Sequence, residues 1–433
     1  MMDNNRKTAY HTLMDIETKS SYSNLALNHH IKVSRPKDPA FVRELVYGVL
    51  ENKMYLDYLI DKLVDHGIES VHKQDLTILR MGLYQLDKMD SVPEYAAVNE
   101  SVALAKRFAK GRTGFINGVL RSYTTKKYSL RLPDRDEDEV AYLSTKYSYE
   151  PWIVRMWLDT YGAVFTEDLL AAGNETPDLV IRLNWLKVMK PDLIQALRQK
   201  GYEVTEGVYS PNALHVKGSG LLDSPLYTHG LFSVQDEASQ MAAQILDPKQ
   251  GQTVIDVCAA PGGKTLAIAE RMNNRGTIIA QDIYKRKVDI IDKEAERLGV
   301  TIVKTRTWDG TRVDSKLVGK ADRVIVDAPC SGLGVVRRKP EIKYKKYNEE
   351  QAMLPKKQLT ILTSSSKYVN AGGVLVYCTC TINPAENEEV VSAFLRNNGN
   401  FRVVETKQLF PHVNGTDGFF ICKMEKSGQI TEQ

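Results

Sequence analysis

The sequence is poor in cysteine and has no long apolar run, and each scarcity excludes a class of protein. Its five cysteines are odd in number, and four of them lie inside or beside apolar, strand-like segments. This usage argues against a disulfide framework and favours reduced thiols in a cytoplasmic protein. No stretch approaches the roughly 18 consecutive apolar residues that a membrane helix needs, and the start leads into no apolar signal core. We therefore expect no membrane partner.

Familiar metal-ligand spacing and a strong charge bias are also missing. Cys378 and Cys380 form a Cys-x-Cys pair, but no Cys-x-x-Cys pair occurs, so we predict no metal site. The formal net charge is only +4, which permits a nucleic-acid partner without requiring one. Hydrophobic residues make up 42% and charged residues 26% of the 433 positions. These values are ordinary for a globular chain of roughly two to four domains.

The apolar pattern divides the chain into three predicted domains. Residues 1–127 carry apolar side chains at helical spacing, which predicts an all-α domain. Residues 128–232 combine linker helices with short strand-like runs around one helix, which predicts a small α+β lead-in subdomain. Over residues 233–427 the pattern becomes strand, turn and helix, repeated. That alternation is typical of a doubly wound, Rossmann-like α/β domain with a largely parallel sheet.

A turn of small residues follows the first strand of the third domain. Its sequence is Cys258, Ala259, Ala260, Pro261, Gly262, Gly263 and Lys264. Glycines let the backbone approach a ligand closely, and free N–H groups at a helix start favour a carboxylate or another anion. A P-loop is disfavoured because Cys258 stands where its first glycine is required and Pro261 removes an amide. A purely structural strand-to-helix turn stays open as the alternative.

Three acids follow three successive strands of this domain. Asp282 lies about 20 residues beyond the turn, where a carboxylate can accept both ribose hydroxyls of a nucleoside cofactor. Asp309 and Asp327 follow the third and fourth strands. A single acid at a strand end is often only a helix cap. Three acids at one rim, beside a glycine turn, favour a cofactor site.

Two thiols should lie at the same rim. Cys330 follows the fourth strand, and Cys380 follows a later strand. One reaction that needs two such groups is the methylation of cytosine at C5. Because C5 is a poor nucleophile, the reaction needs a thiolate that adds to C6 and a second group that assists loss of the C5 proton. Positive charge from Lys264 or a nearby arginine would raise the thiolate fraction. We expect Cys378 and Cys380 on opposite strand faces, with only one of them in the site, and the remaining cysteines as small buried hydrophobes.

Together these motifs resemble those of the RNA cytosine-C5 methyltransferase superfamily. The runs Asp-Val-Cys-Ala-Ala-Pro-Gly-Gly-Lys-Thr, Asp-Ala-Pro-Cys-Ser-Gly and Tyr-Cys-Thr-Cys-Thr-Ile look like its three hallmark motifs, and residues 234–239 resemble its lead-in motif. The resemblance implies Cys380 as the nucleophile and Cys330 as the residue that assists proton removal and product release. A DNA cytosine methyltransferase would instead use the Pro-Cys thiol as the nucleophile.

The same resemblance implies the cofactor and the residues that hold it. S-adenosyl-L-methionine would be the methyl donor, bound by residues 258–264 together with Asp282, Asp309 and Asp327. The last of these acids would also lie near enough to steer the base. Because unstacking a base from a helix costs a few kcal/mol, an already looped cytosine is the expected target.

The first domain carries a second resemblance. The runs Val98-Asn-Glu-Ser-Val-Ala-Leu-Ala-Lys106 and Phe115-Ile-Asn-Gly-Val-Leu-Arg121 look like parts of a NusB-type helical RNA-binding domain. A NusB-like domain joined to this catalytic half resembles the bacterial 16S ribosomal RNA methyltransferases of the RsmB, Sun or Fmu type over nearly the whole chain. The resemblance implies 16S rRNA as the partner. An RNA-binding assembly or antitermination factor with a vestigial catalytic half stays open as the alternative.

A basic run follows the Pro-Cys motif. Residues 335–347 contain six basic side chains against one acid, with two tyrosines. A charge run is usually a solvated face, but its position beside a thiol favours phosphate contacts and base stacking. We predict RNA contacts from Arg337, Arg338, Lys339 and Lys343. A second basic edge, or simply a structural cap, is expected in the first domain from Lys106, Arg107, Lys110, Arg112 and Arg121.

Overall fold

The computed structural model describes residues 3–19 and 22–428, which form two compact units. The first unit takes the chain up to Glu175 together with Val336–Lys346. The second unit comprises Thr176–Val335 and the chain from Tyr347 onward. The linker helices, predicted in the second domain, therefore belong to the first unit. So does most of the basic run, which was predicted in the third domain. In the described ranges, no helix is both long and apolar enough to cross a membrane.

The first unit is built from helices, as its apolar spacing predicts. They are α1 (Asn4–Lys19), α2 (Ser23–Ser34), α3 (Pro39–Glu51), α4 (Lys53–Asp61), α5 (Lys73–Lys88), α6 (Glu94–Phe108), α7 (Thr113–Lys126), α8 (Glu139–Tyr147), α9 (Pro151–Tyr161) and α10 (Ala163–Ala172). The start of α3 shows why the sequence folds this way. Asp38 accepts the backbone N–H of Phe41 at 2.9 Å, and Pro39 occupies the first turn, where its missing N–H costs nothing.

The second unit begins with a small α+β subdomain. Its elements are β1 (Leu179–Leu183), α11 (Lys190–Gln199), β2 (Glu203–Glu206), β3 (Ala213–Lys217), α12 (Pro225–Thr228) and β4 (Phe232–Val234). The four strands form an antiparallel sheet in the order β2-β3-β1-β4. These elements fit the predicted strand-like runs around one helix. The strand β4 is only three residues long, too short to show an alternating pattern in the sequence.

The rest of the second unit is the predicted doubly wound domain. Its elements are α13 (Glu237–Leu246), β5 (Thr253–Asp256), α14 (Gly263–Arg271), β6 (Thr277–Asp282), α15 (Lys285–Leu298), β7 (Val303–Thr307), β8 (Ala321–Asp327), α16 (Glu349–Ala352), α17 (Leu354–Ser366), β9 (Val369–Thr379), α18 (Glu388–Asn397), β10 (Phe401–Leu409), α19 (Pro411–Asn414) and β11 (Phe419–Lys426). The seven strands follow the order β10-β11-β9-β8-β5-β6-β7. The five strands from β9 to β7 are parallel, and β11 runs antiparallel to both of its neighbours, β9 and β10.

The topology of this sheet fixes where a ligand can bind. From β5 the chain proceeds outward through β6 to β7 and then returns to place β8 on the other side of β5. In open α/β sheets the crevice at such a reversal, beyond the carboxyl ends of the strands, is the usual ligand site. Apolar clusters cover both sheet faces. The functional groups therefore collect at the rim between β5 and β8.

Candidate active site

The turn of small residues lies at this reversal point. The strand β5 ends at Asp256 and α14 begins at Gly263. Gly262 has a φ of +108°, a conformation that residues with a Cβ rarely adopt. Asp256 is fully buried and accepts the Thr265 hydroxyl at 2.6 Å. Burial raises its pKa to about 7. This carboxyl therefore ties the strand end to the first turn of the helix.

The three predicted acids all reach the same rim. Asp282 is the last residue of β6, and its Oδ1 accepts the N–H of Tyr284 at 3.0 Å. Asp309 lies two residues beyond β7 and accepts the hydroxyl of Thr311 at 2.7 Å. That hydrogen bond and the Thr311 backbone N–H lower the pKa of Asp309, so this group is ionised. Asp327 ends β8.

Lys264, expected to supply positive charge to the thiols, lies at the same rim. Its Nζ lies 2.7 Å from Asp327 Oδ2 and 4.8 Å from the centre of the Phe419 ring. Burial disfavours the charged form of Lys264, but the neighbouring carboxylate and thiols outweigh it and raise its pKa. The ammonium therefore stays charged at neutral pH. It lies beside the two strand ends that carry the cysteines.

The two cysteines of the hallmark motifs are in contact. The Sγ atoms of Cys330 and Cys380 are 3.3 Å apart. The sheet register explains the contact: β8 and β9 are parallel, with Asp327 opposite Cys378. Cys330 lies three residues beyond Asp327 and Cys380 two residues beyond Cys378, so the two chain segments arrive at the same place. Two thiols separated by 50 positions in the sequence become neighbours because parallel strands end at one edge.

The other three cysteine side chains, Cys258, Cys378 and Cys422, lie outside this pair. Cys378 is fully buried, and its Sγ lies 3.7 Å from Asp327 Oδ1. The prediction that Cys378 and Cys380 occupy opposite faces is wrong, because residues two apart in a strand share a face and both contact the same apolar cluster. Burial raises the pKa of Cys378, of Cys258 and of Cys422. These three thiols stay protonated at neutral pH.

Cys330 also has a raised pKa, although it lies in the site. The hydrogen bond with Cys380 is the main cause, and burial adds to it. A protonated Cys330 can donate its S–H to the Cys380 sulfur. The pair is therefore arranged so that one thiol stabilises negative charge on the other.

A buried carboxylate that the sequence analysis missed joins the two cysteine loops. Glu386, 1% exposed, accepts the N–H of Ser331 at 2.8 Å and the amide of Gln358 at 2.9 Å through Oε2. Its Oε1 accepts the amide of Asn383 at 3.0 Å. The same Gln358 amide donates to the carbonyl of Pro329 at 2.9 Å. One acid thus connects the Pro-Cys loop to the loop that follows Cys380.

Hydroxyl groups complete this support. The Ser331 hydroxyl lies 2.7 Å from the Thr381 hydroxyl, and this contact joins the residues that follow Cys330 and Cys380. Thr379 donates to Asn387 Oδ1 at 2.6 Å, and the amide of Asn387 donates to the carbonyl of Thr381 at 3.1 Å. The sequence signal for this network is the polar run Thr-Ile-Asn-Pro-Ala-Glu-Asn at 381–387. It could be read as a loop but not as a support for the thiols.

The basic run requires a correction. Lys343, predicted to contact RNA, is fully buried in the first unit. Its Nζ donates to the carbonyls of Glu51 and Tyr147 at 2.8 and 3.0 Å and to Asn174 Oδ1 at 2.5 Å. All three N–H groups are thus used inside the protein. The prediction for Lys343 is wrong because this side chain cannot reach a phosphate from its buried position.

The other basic residues of the run, of which Arg337, Arg338 and Lys339 are predicted to contact RNA, differ in exposure. Arg337 is 9% exposed, Arg338 and Lys339 are partly exposed, and Lys345 and Lys346 are exposed. In the first domain the predicted edge includes Arg112, which is partly buried and pairs with Asp75 at 2.9 Å. The remaining members of that edge are exposed: Lys106, Arg107, Lys110 and Arg121.

The residues at the rim suit a nucleoside cofactor with an amino-acid tail. The start of α14 offers backbone N–H groups for a carboxylate, and Asp282 offers a carboxylate for ribose hydroxyls. Asp309 and Asp327 offer further acceptors on the neighbouring strands. Among residues 3–19 and 22–428 no group of three or more His, Cys, Asp or Glu side chains could hold a metal ion. The donor set fits S-adenosylmethionine.

Comparison with known proteins gives one consistent result. Residues 243–425 match the family of 16S rRNA methyltransferases RsmB/F, residues 3–125 match the NusB family, and residues 149–221 match the ferredoxin-like domain of RsmF/B-like methyltransferases. The ferredoxin-like match overlaps the small antiparallel sheet, and the NusB match covers helices α1 to α7, apart from the last residue of α7. All three predicted folds are therefore confirmed.

Individual relatives extend over the whole chain. "Probable ribosomal RNA small subunit methyltransferase B" of Bacillus subtilis is 37% identical, with 98% of this chain and 99% of the relative covered. Ribosomal RNA small subunit methyltransferase B of Serratia proteamaculans is 31% identical, with 91% of this chain and 92% of the relative covered. The crystal structure of PH0851 is 25% identical and superimposes with a TM-score of 0.86 over 98% of this chain and 99% of its own. The chain therefore belongs to the RsmB family of S-adenosylmethionine-dependent ribosomal RNA small subunit methyltransferases.

Proposed function

We propose that this protein methylates C5 of a cytosine in 16S rRNA through a covalent bond between Cys380 and C6 of the base. The observation that carries the proposal is the 3.3 Å contact between the Cys330 and Cys380 sulfurs, beside the Lys264–Asp327 ion pair. Methylation of a ring nitrogen or a ribose hydroxyl would need no thiol. A pair of thiols at the methyl-donor rim suits a carbon nucleophile that must first be activated by covalent addition.

The turn and the three rim acids would hold the cofactor. Backbone N–H groups at the start of α14 would bind its carboxylate, and Asp282 would accept the ribose hydroxyls. Bound there, S-adenosylmethionine supplies an electrophilic methyl group. Asp309 and Asp327 would contribute acceptors nearby. The Lys264 ammonium pairs with Asp327 and would orient the Asp327 carboxylate toward the base.

The thiols have different roles in this proposal. Cys330, protonated because its pKa is raised, donates its S–H to Cys380 and favours the Cys380 thiolate. The positive charge of Lys264 favours the same thiolate. After Cys380 adds to C6, the C5 carbon becomes nucleophilic and takes the methyl group. Once the Cys380 sulfur is bonded to C6, Cys330 no longer donates to a thiolate and its proton passes to solvent. The resulting Cys330 thiolate then takes the C5 proton, while the S–C6 bond breaks and its electron pair returns to the Cys380 sulfur. A thiolate whose pKa is high is a strong base, which removal of a carbon-bound proton requires.

The RNA would reach this site as a loop, because a stacked base must be extruded at a cost of a few kcal/mol. The exposed lysines 345 and 346, with the partly exposed Arg338 and Lys339, are proposed to contact its phosphates. The NusB-like domain, expected over residues 1–127, is proposed to hold a neighbouring part of the RNA with its exposed basic edge.

Three cysteine variants test the roles of the thiols. Each is incubated with labelled S-adenosylmethionine and under-modified 16S rRNA and is then analysed on denaturing gels. Cys330→Ala should accumulate a covalent protein–RNA adduct, because the adduct forms but is not released. Cys380→Ala should give neither adduct nor methylation. Cys422→Ala, in a buried position on β11, is the control and should behave like the wild type.

Two outcomes would contradict the proposal in different ways. An adduct with Cys380→Ala but not with Cys330→Ala would reassign the nucleophile. Absence of label on cytosine C5 in the wild-type reaction, with S-adenosylmethionine still bound, would remove the C5 reaction itself. Mapping of methylated cytosines in RNA from cells with and without the gene identifies the position that is modified.

A further inference from the structure

A buried arginine of the small antiparallel sheet reaches the cofactor turn. Arg182 belongs to β1 and is 2% exposed. Its Nη1 donates to the backbone carbonyl of Gly263 at 2.8 Å and also contacts Gln235 Oε1. Gly263 is the first residue of α14 and part of the turn between β5 and that helix. A side chain from a different sheet therefore contacts the backbone of the cofactor site directly.

The rest of the guanidinium is held by a buried carboxylate on the same helix. Arg182 Nε and Nη2 donate to the two oxygens of Glu270 at 3.0 and 2.8 Å. Glu270 is 1% exposed and lies near the end of α14. The indole N–H of Trp185 donates to the Glu270 carbonyl at 2.8 Å. The small sheet thus holds both ends of the helix that begins with the cofactor turn.

Stability alone is a weak reason for this arrangement. A buried ion pair loses hydration on both sides, and well-packed apolar residues in its place are often as stable or more so. The bidentate contact with Glu270 fixes the plane of the guanidinium, since both donors are held in one geometry. That plane directs Nη1 at the Gly263 carbonyl. The pair is therefore suited to fixing the orientation of a peptide group rather than to adding stability.

We propose that Arg182 is a positioning residue of the S-adenosylmethionine site. By holding the Gly263 carbonyl, Arg182 fixes the peptide planes of the turn, so that their N–H groups stay directed toward the cofactor carboxylate. The small sheet is then a structural part of the cofactor site. This inference rests on the placement of the cofactor at residues 258–264.

Arg297 provides a matched control. It is also a largely buried arginine that joins α15 to the small subdomain, through the carbonyls of Tyr227 at 2.7 Å and Phe232 at 3.0 Å. Like Arg182 it pairs with a glutamate, in this case Glu294 of its own helix, at 2.6 Å. Its hydrogen bonds go to the subdomain and to that glutamate. Loss of Arg297 therefore perturbs the subdomain contact without removing the bond to the turn.

The test measures cofactor binding by titration calorimetry on the full chain. Arg182→Met should raise the Kd and the KM for S-adenosylmethionine tenfold or more, with kcat reduced much less. Arg297→Met should change that Kd by less than a factor of two. The double variant Arg182→Met/Glu270→Met removes both buried charges, so its thermal unfolding should return toward the wild type while its cofactor affinity stays low.

The outcomes separate positioning from a merely structural role. If the double variant regains wild-type affinity, or if Arg297→Met weakens binding as much as Arg182→Met, the contact with Gly263 has no special function and the proposal fails. If Arg182→Met binds the cofactor normally, the proposal also fails. A wild-type protein that binds S-adenosylmethionine but transfers no methyl group to cytosine would refute the C5 reaction and leave this inference intact.

Discussion

Replacement of Glu386 by alanine should separate the two cysteine loops. The Glu386 carboxylate accepts three hydrogen bonds, from the N–H of Ser331 and the side-chain amides of Gln358 and Asn383. Gln358 keeps a second acceptor, the carbonyl of Pro329. Alanine therefore leaves two donors without an acceptor. The buried Ser331 N–H costs about 1–3 kcal/mol when it has no acceptor, and the partly exposed Asn383 amide costs less because it can bind water. The variant should therefore lose about 1–4 kcal/mol of stability.

The assay combines urea unfolding with adduct formation. A loss of this size is a large part of the 5–15 kcal/mol that stabilises a typical domain, so the shift in midpoint should be evident. The same substitution in a Cys330→Ala background should reduce the yield of covalent adduct, because Ser331 no longer holds the Pro-Cys loop against the loop after Cys380. Glu389→Ala, at an exposed position on α18, is the matched control.

Two results would refute the reasoning about Glu386. A stability change below about 1 kcal/mol would mean that the released donors find other partners or water. The adduct yield is measured at urea concentrations well below the unfolding midpoint. If the variant shows the predicted loss of stability but an unchanged adduct yield, the carboxylate supports the fold but not the thiol geometry. Glu386→Gln keeps one acceptor oxygen and should give an intermediate result in both measurements.

Further predictions concern Lys343, Asp282 and Gly262. Burial lowers the pKa of Lys343 to about 7. Between about pH 7 and 10 the unfolded chain therefore binds more protons than the folded protein, and the stability of the first unit should rise through that window. Lys343→Met should flatten this rise in urea unfolding, whereas Lys345→Met, at an exposed position, should not. Asp282→Asn should weaken S-adenosylmethionine binding about 10- to 100-fold in calorimetry, as expected for charged hydrogen bonds of about 1.5–3 kcal/mol, and unchanged affinity would exclude the ribose contact. Gly262→Ala would force the alanine backbone to a φ of +108° and should lower cofactor affinity. Gly415→Ala is the control, because Gly415 has a φ of +71° and nothing lies within 4 Å of an added Cβ. It should carry similar strain of about 1–3 kcal/mol without affecting binding.

The rim of the parallel sheet could be predicted from the sequence because its signals are local. Each acid or thiol follows a short apolar strand within a few positions, and parallel strands present their carboxyl ends on one edge. The placement of Asp282, Asp327, Cys330 and Cys380 follows from those two facts. The 3.3 Å contact between the sulfurs does not. It depends on a register that pairs Asp327 with Cys378, and no local pattern specifies register between strands so far apart in the chain.

The missed elements have weak local signals for identifiable reasons. Most side chains of β10 are exposed or partly exposed, with only Phe401 and Leu409 buried at its ends, so it lacks the apolar run of a buried strand. The burial of Lys343 could not be predicted either, because a run of basic residues has the same sequence whether its side chains face water or internal hydrogen-bond acceptors. Only the fold shows that the carbonyls of Glu51 and Tyr147 and the amide of Asn174 surround this ammonium.

The positions of the reactive groups depend on buried charges outside the hallmark motifs. Glu386 holds the two cysteine loops together, and Arg182 holds the cofactor turn from another sheet. Both side chains are at most 2% exposed, where an unpaired charge costs several kcal/mol, so each persists only with all its partners in place. Such groups tolerate few alternative geometries. We therefore expect a variant in which Arg182 and its partner Glu270 are replaced together by apolar residues to keep the fold and to lose cofactor affinity.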